Sequence, residues 1–187
     1  RKNITEAATL YDAAKAGDLS EVKRLTKDDC TDVNKLTGTL KWTPLHTAAR
    51  NNNTQVAMVL LACDADPNIQ DTDGWTPMIQ ASHYGNVDTV NALLAVNAKV
   101  DVKTQKGWTA LLQASENDRL HVAKALISAG AKLDLITNNQ WTALMKASFN
   151  NHFEIVKALI CARANLDIQQ EDGRTALMMA SHNDHIA

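Results

Sequence analysis

The sequence lacks most of the features that identify enzymes and membrane proteins. No apolar run approaches the ~20 residues that a membrane-spanning helix needs. Neither a glycine-rich phosphate loop nor a GxSxG nucleophile motif is present. The three cysteines, Cys30, Cys63 and Cys161, include no CxxC pair, which favours a reducing compartment, and we interpret each as a small buried hydrophobe. These absences predict a protein that is not an enzyme and binds no cofactor.

An excess of charge of one sign is also missing. The 187 residues include 19 Lys and Arg and 21 Asp and Glu, and the net charge of −2 argues against a dedicated binder of nucleic acid or anionic membranes. Of the six histidines only His182 and His185 lie close in sequence, and such a pair is too weak a signal to predict a metal site. The hydrophobic fraction of 45% is typical of a folded soluble protein of one sizeable domain.

One pattern dominates what the sequence does contain, a string that recurs every 33 residues. The five copies read WTPLHTAA, WTPMIQAS, WTALLQAS, WTALMKAS and RTALMMAS, with Thr at positions 43, 76, 109, 142 and 175. Upstream, LYDAAKAGDLSEVKRL repeats the pattern at an offset of 35, which predicts a two-residue insertion between about Thr31 and Lys41. A fixed internal period of this length predicts a repeat architecture.

Each repeat reads as two short helices and a loop. Thr43 is a good N-cap and Pro44 suits the first helical position, after which small Ala or Ser pairs let neighbouring helices approach closely. A polar break precedes the second helix, for example Val87 to Leu94, and the second helices are expected to end near Asp64, Asn97, Gly130 and Arg163 in left-handed backbone. Stretches such as NIQDTDGW predict a hairpin-like turn between units. No unit can bury its apolar face alone, so the units are predicted to stack into a solenoid.

The period and the string TPLHTAA at Thr43 resemble the ankyrin repeat, and the resemblance runs from about Leu10 to Ala187. It implies an all-α solenoid of helix-turn-helix units joined by β-hairpin-like loops, about five and a half repeats in one domain. The expected units are an N-terminal repeat with the insertion (1–37), four full repeats (38–70, 71–103, 104–136, 137–169) and a truncated repeat (170–187). Because the chain starts at Arg1 without a visible signal peptide and stops inside a unit, we expect it to be a segment of a longer protein.

Two departures from the family pattern lead to structural expectations. His46 stands at the usual His position, but Ile79, Leu112, Met145 and Met178 replace it later, which predicts apolar packing in place of a hydrogen bond. Gln140 replaces the hairpin glycine found at positions 74, 107 and 173.

The resemblance implies that hairpin tips and first helices line a concave groove that binds another protein. Within the first helices, one position is expected to face inward with the Ala or Ser pair, and it is held by Leu45, Met78, Leu111, Leu144 and Leu177. The remaining residues form the set expected to face outward, and this set varies in charge and size from unit to unit. Its members are Thr47, Arg50 and Asn51; Gln80, His83 and Tyr84; Gln113, Glu116 and Asn117; Lys146, Phe149 and Asn150; and Met179, His182 and Asn183. The aromatic rings of Tyr84 and Phe149 favour contact with a partner over a merely solvated face.

Tryptophan behaves in the opposite way, because Trp42, Trp75, Trp108 and Trp141 recur in every full unit and only Arg174 breaks the run. Helix layers pack roughly 10 Å apart, so four such rings predict a ladder about 30 Å long that matches an extended peptide or one long helix. The alternative is that each ring lies flat against the next hairpin and covers gaps between repeats. Both roles can coexist.

We therefore predict a protein–protein interaction module with no enzyme activity. The expected partner-binding residues are Trp42, Trp75, Trp108, Trp141, Tyr84, Phe149, His83, Arg50, Glu116, Asn117, Lys146 and Met179. Charged blocks at the hairpin tips, such as Asp73 and then Lys106, are expected to orient the partner more than to hold it. The expected partner is a protein or peptide, with no nucleic acid, no membrane insertion and a monomeric chain, inside a cell (cytoplasm or nucleus, or a host cell for a bacterial effector).

Two other functions remain open at this stage. The chain could be an architectural spacer in a larger scaffold. It could also be a reader of methylated lysine, if Trp75, Tyr84, Trp108 and Glu116 converge into an aromatic cage.

Overall fold

A computed structural model describes residues 9–27 and 31–182 of the chain. Within these residues there are eleven helices and no strand, apart from one isolated β-bridge between Thr37 and Trp42. The helices are α1 (Leu10–Ala16), α2 (Leu19–Leu25), α3 (Pro44–Arg50), α4 (Thr54–Ala62), α5 (Pro77–Tyr84), α6 (Val87–Ala95), α7 (Ala110–Glu116), α8 (Leu120–Ser128), α9 (Ala143–Phe149), α10 (Phe153–Cys161) and α11 (Ala176–His182). The predicted all-α class is therefore confirmed.

The first helix of each unit begins at the residue that the sequence predicts. The Thr43 hydroxyl oxygen accepts a hydrogen bond from the amide of His46 at 3.3 Å, and Thr76, Thr109 and Thr142 cap their helices in the same way. A residue with left-handed backbone follows the second helices α4, α6, α8 and α10, and this includes Arg163 (φ 68°), which suits that conformation less well than Gly, Asn or Asp.

The helices stack in two layers. The odd-numbered helices α1 to α11 pack each on the next, and the even-numbered helices α2 to α10 do the same behind them. The core lies between the layers, where Leu45, Ala48 and Ala49 are fully buried together with Val56 and Leu60. Each unit thus buries its apolar face against its neighbours, as a solenoid requires.

The polar break between the two helices of a unit has a role that the sequence did not reveal. The side chains of Asn53, Asn86, Arg119 and His152 make hydrogen bonds to carbonyl oxygens at the end of the first helix of the preceding unit. The Asn86 amide, for example, donates to the Ala49 carbonyl at 2.7 Å. These bonds satisfy helix-end carbonyls that lack an intrahelical partner, so they fasten one unit to the next.

The loops between units are closed turns at the edge of the stack. The Asp71 amide donates to the Trp75 carbonyl at 2.8 Å, and the same closure recurs in the two turns that end at Trp108 and Trp141. The first hairpin, from Thr37 to Trp42, is one residue longer, so one of the two inserted residues lies in its tip. Backbone hydrogen bonds also join neighbouring tips, for example from the Gln105 amide to the Asp73 carbonyl at 2.9 Å.

The expected outward face of the first helices is partly wrong. Met179 is only 1% exposed, and Thr47, Gln80 and Gln113 at the equivalent position are also buried. Thr47, Gln80 and Gln113 lie in helices with a first helix on each side and a second helix behind, so only the last turn of each helix stays open. In α11, packing on α9 from one side buries Met179. The division into one inward and one outward face does not allow for those lateral neighbours.

Two further residue assignments from the sequence need correction. Cys161 is exposed and Cys63 is half-buried, so neither is a fully buried hydrophobe, while Cys30 lies outside the described residues. Leu177, expected to face inward, is 76% exposed because no described unit packs on the far side of α11. Asn183, His185 and the His182 side chain also lie outside the described part of the chain.

Candidate partner-binding surface

The four tryptophans lie at the base of four successive hairpins, each directly before the Thr that caps a first helix. Trp42 is 8% exposed, and its indole N–H donates to the buried Asp71 carboxylate at 2.9 Å. Trp75, Trp108 and Trp141 are half-buried and pack one side against the core. The expectation of four equivalent rungs is therefore wrong for Trp42, whose ring is used inside the fold, whereas the other three rings keep part of their surface open.

The backbone at Trp75 is held by the buried His46. The His46 Nε2–H donates to the Trp75 carbonyl at 3.0 Å, while Nδ1 accepts from the Thr43 amide at 3.2 Å. Burial lowers the pKa of His46, so the ring stays neutral in this bridge. Apolar packing replaces the bridge in later units, as predicted, except at the exposed Met178.

An upstream cluster forms around Arg50. Its guanidinium lies 5.2 Å from the ring centre of Trp42 and 5.1 Å from that of Tyr84, in the next unit. Trp75 meets His83 edge to face at 5.6 Å, and His83 meets Tyr84 in the same way at 4.7 Å. Five side chains expected at a partner surface are thus in one continuous contact set, with a cation over two aromatic faces.

A downstream cluster forms around Lys146. Its ammonium lies 4.1 Å from the ring centre of Trp141 and 5.0 Å from that of Trp108, and 3.2 Å from the Glu116 carboxylate. Phe149 packs edge to face on Trp141 at 5.5 Å and is 39% exposed. The ammonium is therefore held by two rings and a carboxylate, and only 14% of the Lys146 side chain is exposed.

Asn117 adjoins the upstream cluster through His83. Its side-chain amide lies 3.3 Å from Nδ1 of His83, which is also 2.9 Å from the Gln113 side-chain oxygen. These contacts join α5 to α7 across the surface.

Two clefts open between consecutive hairpins on this surface. The upstream cleft, about 260 Å³, lies between Trp75 and Trp108 and is also lined by Asp73, Lys106 and Gln113. The downstream cleft, about 360 Å³, lies between Trp108 and Trp141. Its other lining residues include Lys106, Lys146, Asn138 and Asn139. Trp108 and Lys106 thus border both clefts.

The four residues proposed for a methyl-lysine cage do not share one cavity. Trp75 contacts His83, the Tyr84 ring faces Arg50, and Trp108 and Glu116 both contact Lys146. Three of the four are therefore already paired with cations of the chain itself.

Sequence reasoning missed the amide side chains of the hairpin tips. Gln105 Nε2 donates to the Thr72 carbonyl at 2.6 Å, and Asn138 Nδ2 donates to the Gln105 carbonyl at 2.9 Å, so both residues join neighbouring tips. The signal that could have revealed them is their spacing, because they stand 33 residues apart like the tryptophans.

Neither a metal site nor a membrane span is found in the described residues. No group of three His, Cys, Asp or Glu side chains there could hold a metal ion. No helix in residues 9–27 or 31–182 is long and apolar enough to cross a bilayer.

Comparison with known proteins gives one family and short matches to two longer proteins. A family model described as ankyrin repeats, three copies, matches residues 10–104 and 94–170. A stretch of 64 residues is 47% identical to the human protein named mitochondrial disaggregase, covering 34% of this chain and 9% of that protein. The bovine mitochondrial disaggregase matches to the same extent, again over 9% of its length.

Proposed function

Because the chain belongs to the ankyrin-repeat family, whose members are generally protein-interaction modules, we propose that it binds a peptide or partner domain along its hairpins and first helices. The anchors in this proposal are Trp75, Trp108 and Trp141, with Tyr84 and Phe149 beside them. The surface corresponds to the concave groove that the family resemblance implies.

The observation that supports the proposal most is the position of the three half-buried tryptophans. Each of the two clefts lies between a pair of them, so each ring packs on the core on one side and borders open space on another. A rigid aromatic ring at the edge of a cleft is the usual form of an interface anchor. Nothing in the helix start needs Trp there, because the Thr175 unit carries Arg174 in its place.

The proposal includes the remaining expectations. The chain comprises about five and a half repeats with the boundaries given above, acts as a monomer inside a cell, and does not bind nucleic acid or insert into a membrane. It is not an enzyme. The matched stretch of the disaggregases is about two repeats long, and we do not extend their named activity to this chain.

The geometry gives less support to the other candidates. A methyl-lysine cage needs aromatic faces free for a cation, whereas Arg50 and Lys146 already lie over the rings of Tyr84 and Trp108. A pure spacer needs no open aromatic clefts.

The test is selection of binding peptides from a random displayed library with the whole chain, followed by measurement of their affinity. Replacing both Trp75 and Trp108 by alanine is expected to weaken the selected peptides at least ~30-fold, since one buried interface tryptophan contributes about 2 kcal/mol or more. The matched control is Phe153→Ala, which removes an aromatic ring that is 58% exposed on α10, away from the hairpins.

Unfolding curves are needed for each variant. The proposal fails if the double variant keeps its affinity, or if the affinity falls only in proportion to the folded fraction. It also fails if Phe153→Ala has the same effect.

A further inference from the structure

Each of the two clefts lies between two tryptophans, but the charged residues that line them differ. The upstream cleft is lined by one acidic residue, Asp73, and one basic residue, Lys106. The downstream cleft is lined by two lysines, Lys106 and Lys146, and none of the described residues that line it is Asp or Glu. Glu116 lies behind Lys146 at 3.2 Å, so the downstream site as a whole has a net charge of +1, from two Lys and one Glu.

Lys146 is fixed in a way that an ordinary surface lysine is not. Its ammonium is held by Glu116 and by the faces of Trp108 and Trp141, and its side chain is only 14% exposed. An ammonium has three N–H donors, and one carboxylate oxygen leaves donors for a second anion. Because the conformation is fixed beforehand, little side-chain entropy is lost when an anion binds.

The setting of these charges strengthens their attraction for an anion. Two indole walls exclude part of the water, and ion pairs are stronger where the local dielectric constant is low. Asn139 also lines the downstream cleft. A site with a net charge of +1 is neutralised by a single carboxylate, whereas a phosphate dianion would leave an excess of negative charge beside Glu116.

We propose that the downstream cleft recognises a carboxylate of the bound partner, an Asp or Glu side chain that inserts between Trp108 and Trp141 and pairs with Lys106 and Lys146. This inference rests on the proposed function, since it names the chemistry of one position in the same groove. It makes the partner an acidic peptide at that position, and it excludes a cationic one, because Lys146 already occupies the ring faces that a cation would need.

The test uses the whole chain and the blocked tripeptide acetyl-Ala-Glu-Ala-amide as the probe. The readout is the set of four indole N–H signals in the NMR spectrum, where Trp42 serves as an internal control because its indole is buried and bonded to Asp71. We expect the Trp108 and Trp141 signals to shift, with about tenfold weaker binding for the matched Gln tripeptide, the cost of losing a charge-assisted bond.

Two substitutions are expected to act in opposite directions. Lys106→Gln, at an exposed position, weakens the Glu tripeptide several-fold. Glu116→Gln tightens binding of the Glu tripeptide about threefold, because Gln has nearly the same shape as Glu but lacks the carboxylate that competes for Lys146. A merely structural role for Glu116 would give no tightening, so this variant separates recognition from folding.

Four results would overturn the inference. They are equal shifts with the Gln tripeptide, stronger binding of a trimethyl-lysine tripeptide, a response to a phosphoserine tripeptide alone, and an unchanged affinity in both variants. The outcome is independent of the library selection. If no library peptide binds but the Glu tripeptide does, the proposed function fails while the carboxylate site stands. If library peptides bind but the Glu tripeptide does not, the carboxylate site fails while the proposed function stands.

Discussion

Two buried serine hydroxyls should make this domain less stable than it could be. Ser82 in α5 and Ser115 in α7 are fully buried, and neither hydroxyl oxygen has a hydrogen-bond partner among the described residues. The preceding unit carries Ala49 at the same position, also fully buried. We therefore expect Ser82→Ala and Ser115→Ala each to stabilise the fold.

The magnitude follows from three contributions. A buried hydroxyl without a partner costs about 1–3 kcal/mol relative to water. Alanine is also the better helix former, by up to about 0.5 kcal/mol. Loss of the contacts of one oxygen atom offsets part of this, at about 0.1–0.2 kcal/mol for each contact. The expected gain is about 1–2 kcal/mol per substitution, or roughly 2–8 °C in the melting temperature of a domain of this size.

The assay is urea unfolding followed by circular dichroism and tryptophan fluorescence. Ser148→Ala is the matched control, because Ser148 holds the equivalent position in α9 but is 7% exposed and borders a small cavity. Its gain should be clearly smaller. If Ser82→Ala and Ser115→Ala are neutral or destabilising, the hydroxyls are hydrogen-bonded in solution and the reasoning is refuted.

Four other substitutions test single features of the fold by urea unfolding. Because burial lowers the pKa of His46, the unfolded chain takes up a proton near the ordinary value of 6.5 before the folded chain does, so the protein loses stability between about pH 7 and 5. His46→Gln should reduce this loss. An unchanged dependence of stability on pH would contradict the argument. Gly74→Ala should lower the free energy of unfolding by about 2 kcal/mol or more, because φ is 83° and the new Cβ would lie 2.8 Å from the backbone of the next hairpin. Gln140→Gly should raise the free energy of unfolding by about 1 kcal/mol, because Gln140 holds a positive φ of 57°. Equal effects of the two substitutions would refute the strain argument. Trp42→Phe should cost about 1–3 kcal/mol by removing the indole donor to the Asp71 carboxylate, and a neutral result would mean that this bond adds no stability.

The sequence was sufficient for the features that depend on neighbouring residues. The helix starts at Thr43 and Thr76 could be predicted because each Thr side chain caps the amide three residues later. The left-handed backbone at Asp64 and Asn97 could be predicted because Asp and Asn tolerate that conformation. The fixed period of 33 residues then predicts that the units stack on one another, because similar repeats pack through equivalent faces.

The sequence was insufficient where burial depends on the neighbouring unit. Met179 looks like part of an open face when α11 is read alone, yet it is buried in the stack. Trp42 shows the same limit, because its acceptor Asp71 lies 29 residues away in the next hairpin. Helical periodicity assigns faces of one helix and carries no information on how many neighbours that helix has.

The chemistry of the surface lies where the repeat stops being periodic. The tryptophans recur at one position, but Arg50 stands eight residues after Trp42 whereas Lys146 stands five residues after Trp141. From the end of its helix Arg50 reaches forward to Tyr84 of the next unit, and from the middle of its helix Lys146 reaches back to Trp108 of the previous unit. The row of tryptophan rings is thereby divided into two clusters, and the downstream cleft, which Lys106 and Lys146 line, lies at the second of them. The period builds the walls of the groove, and the non-repeating residues between them decide which charge each cleft accepts.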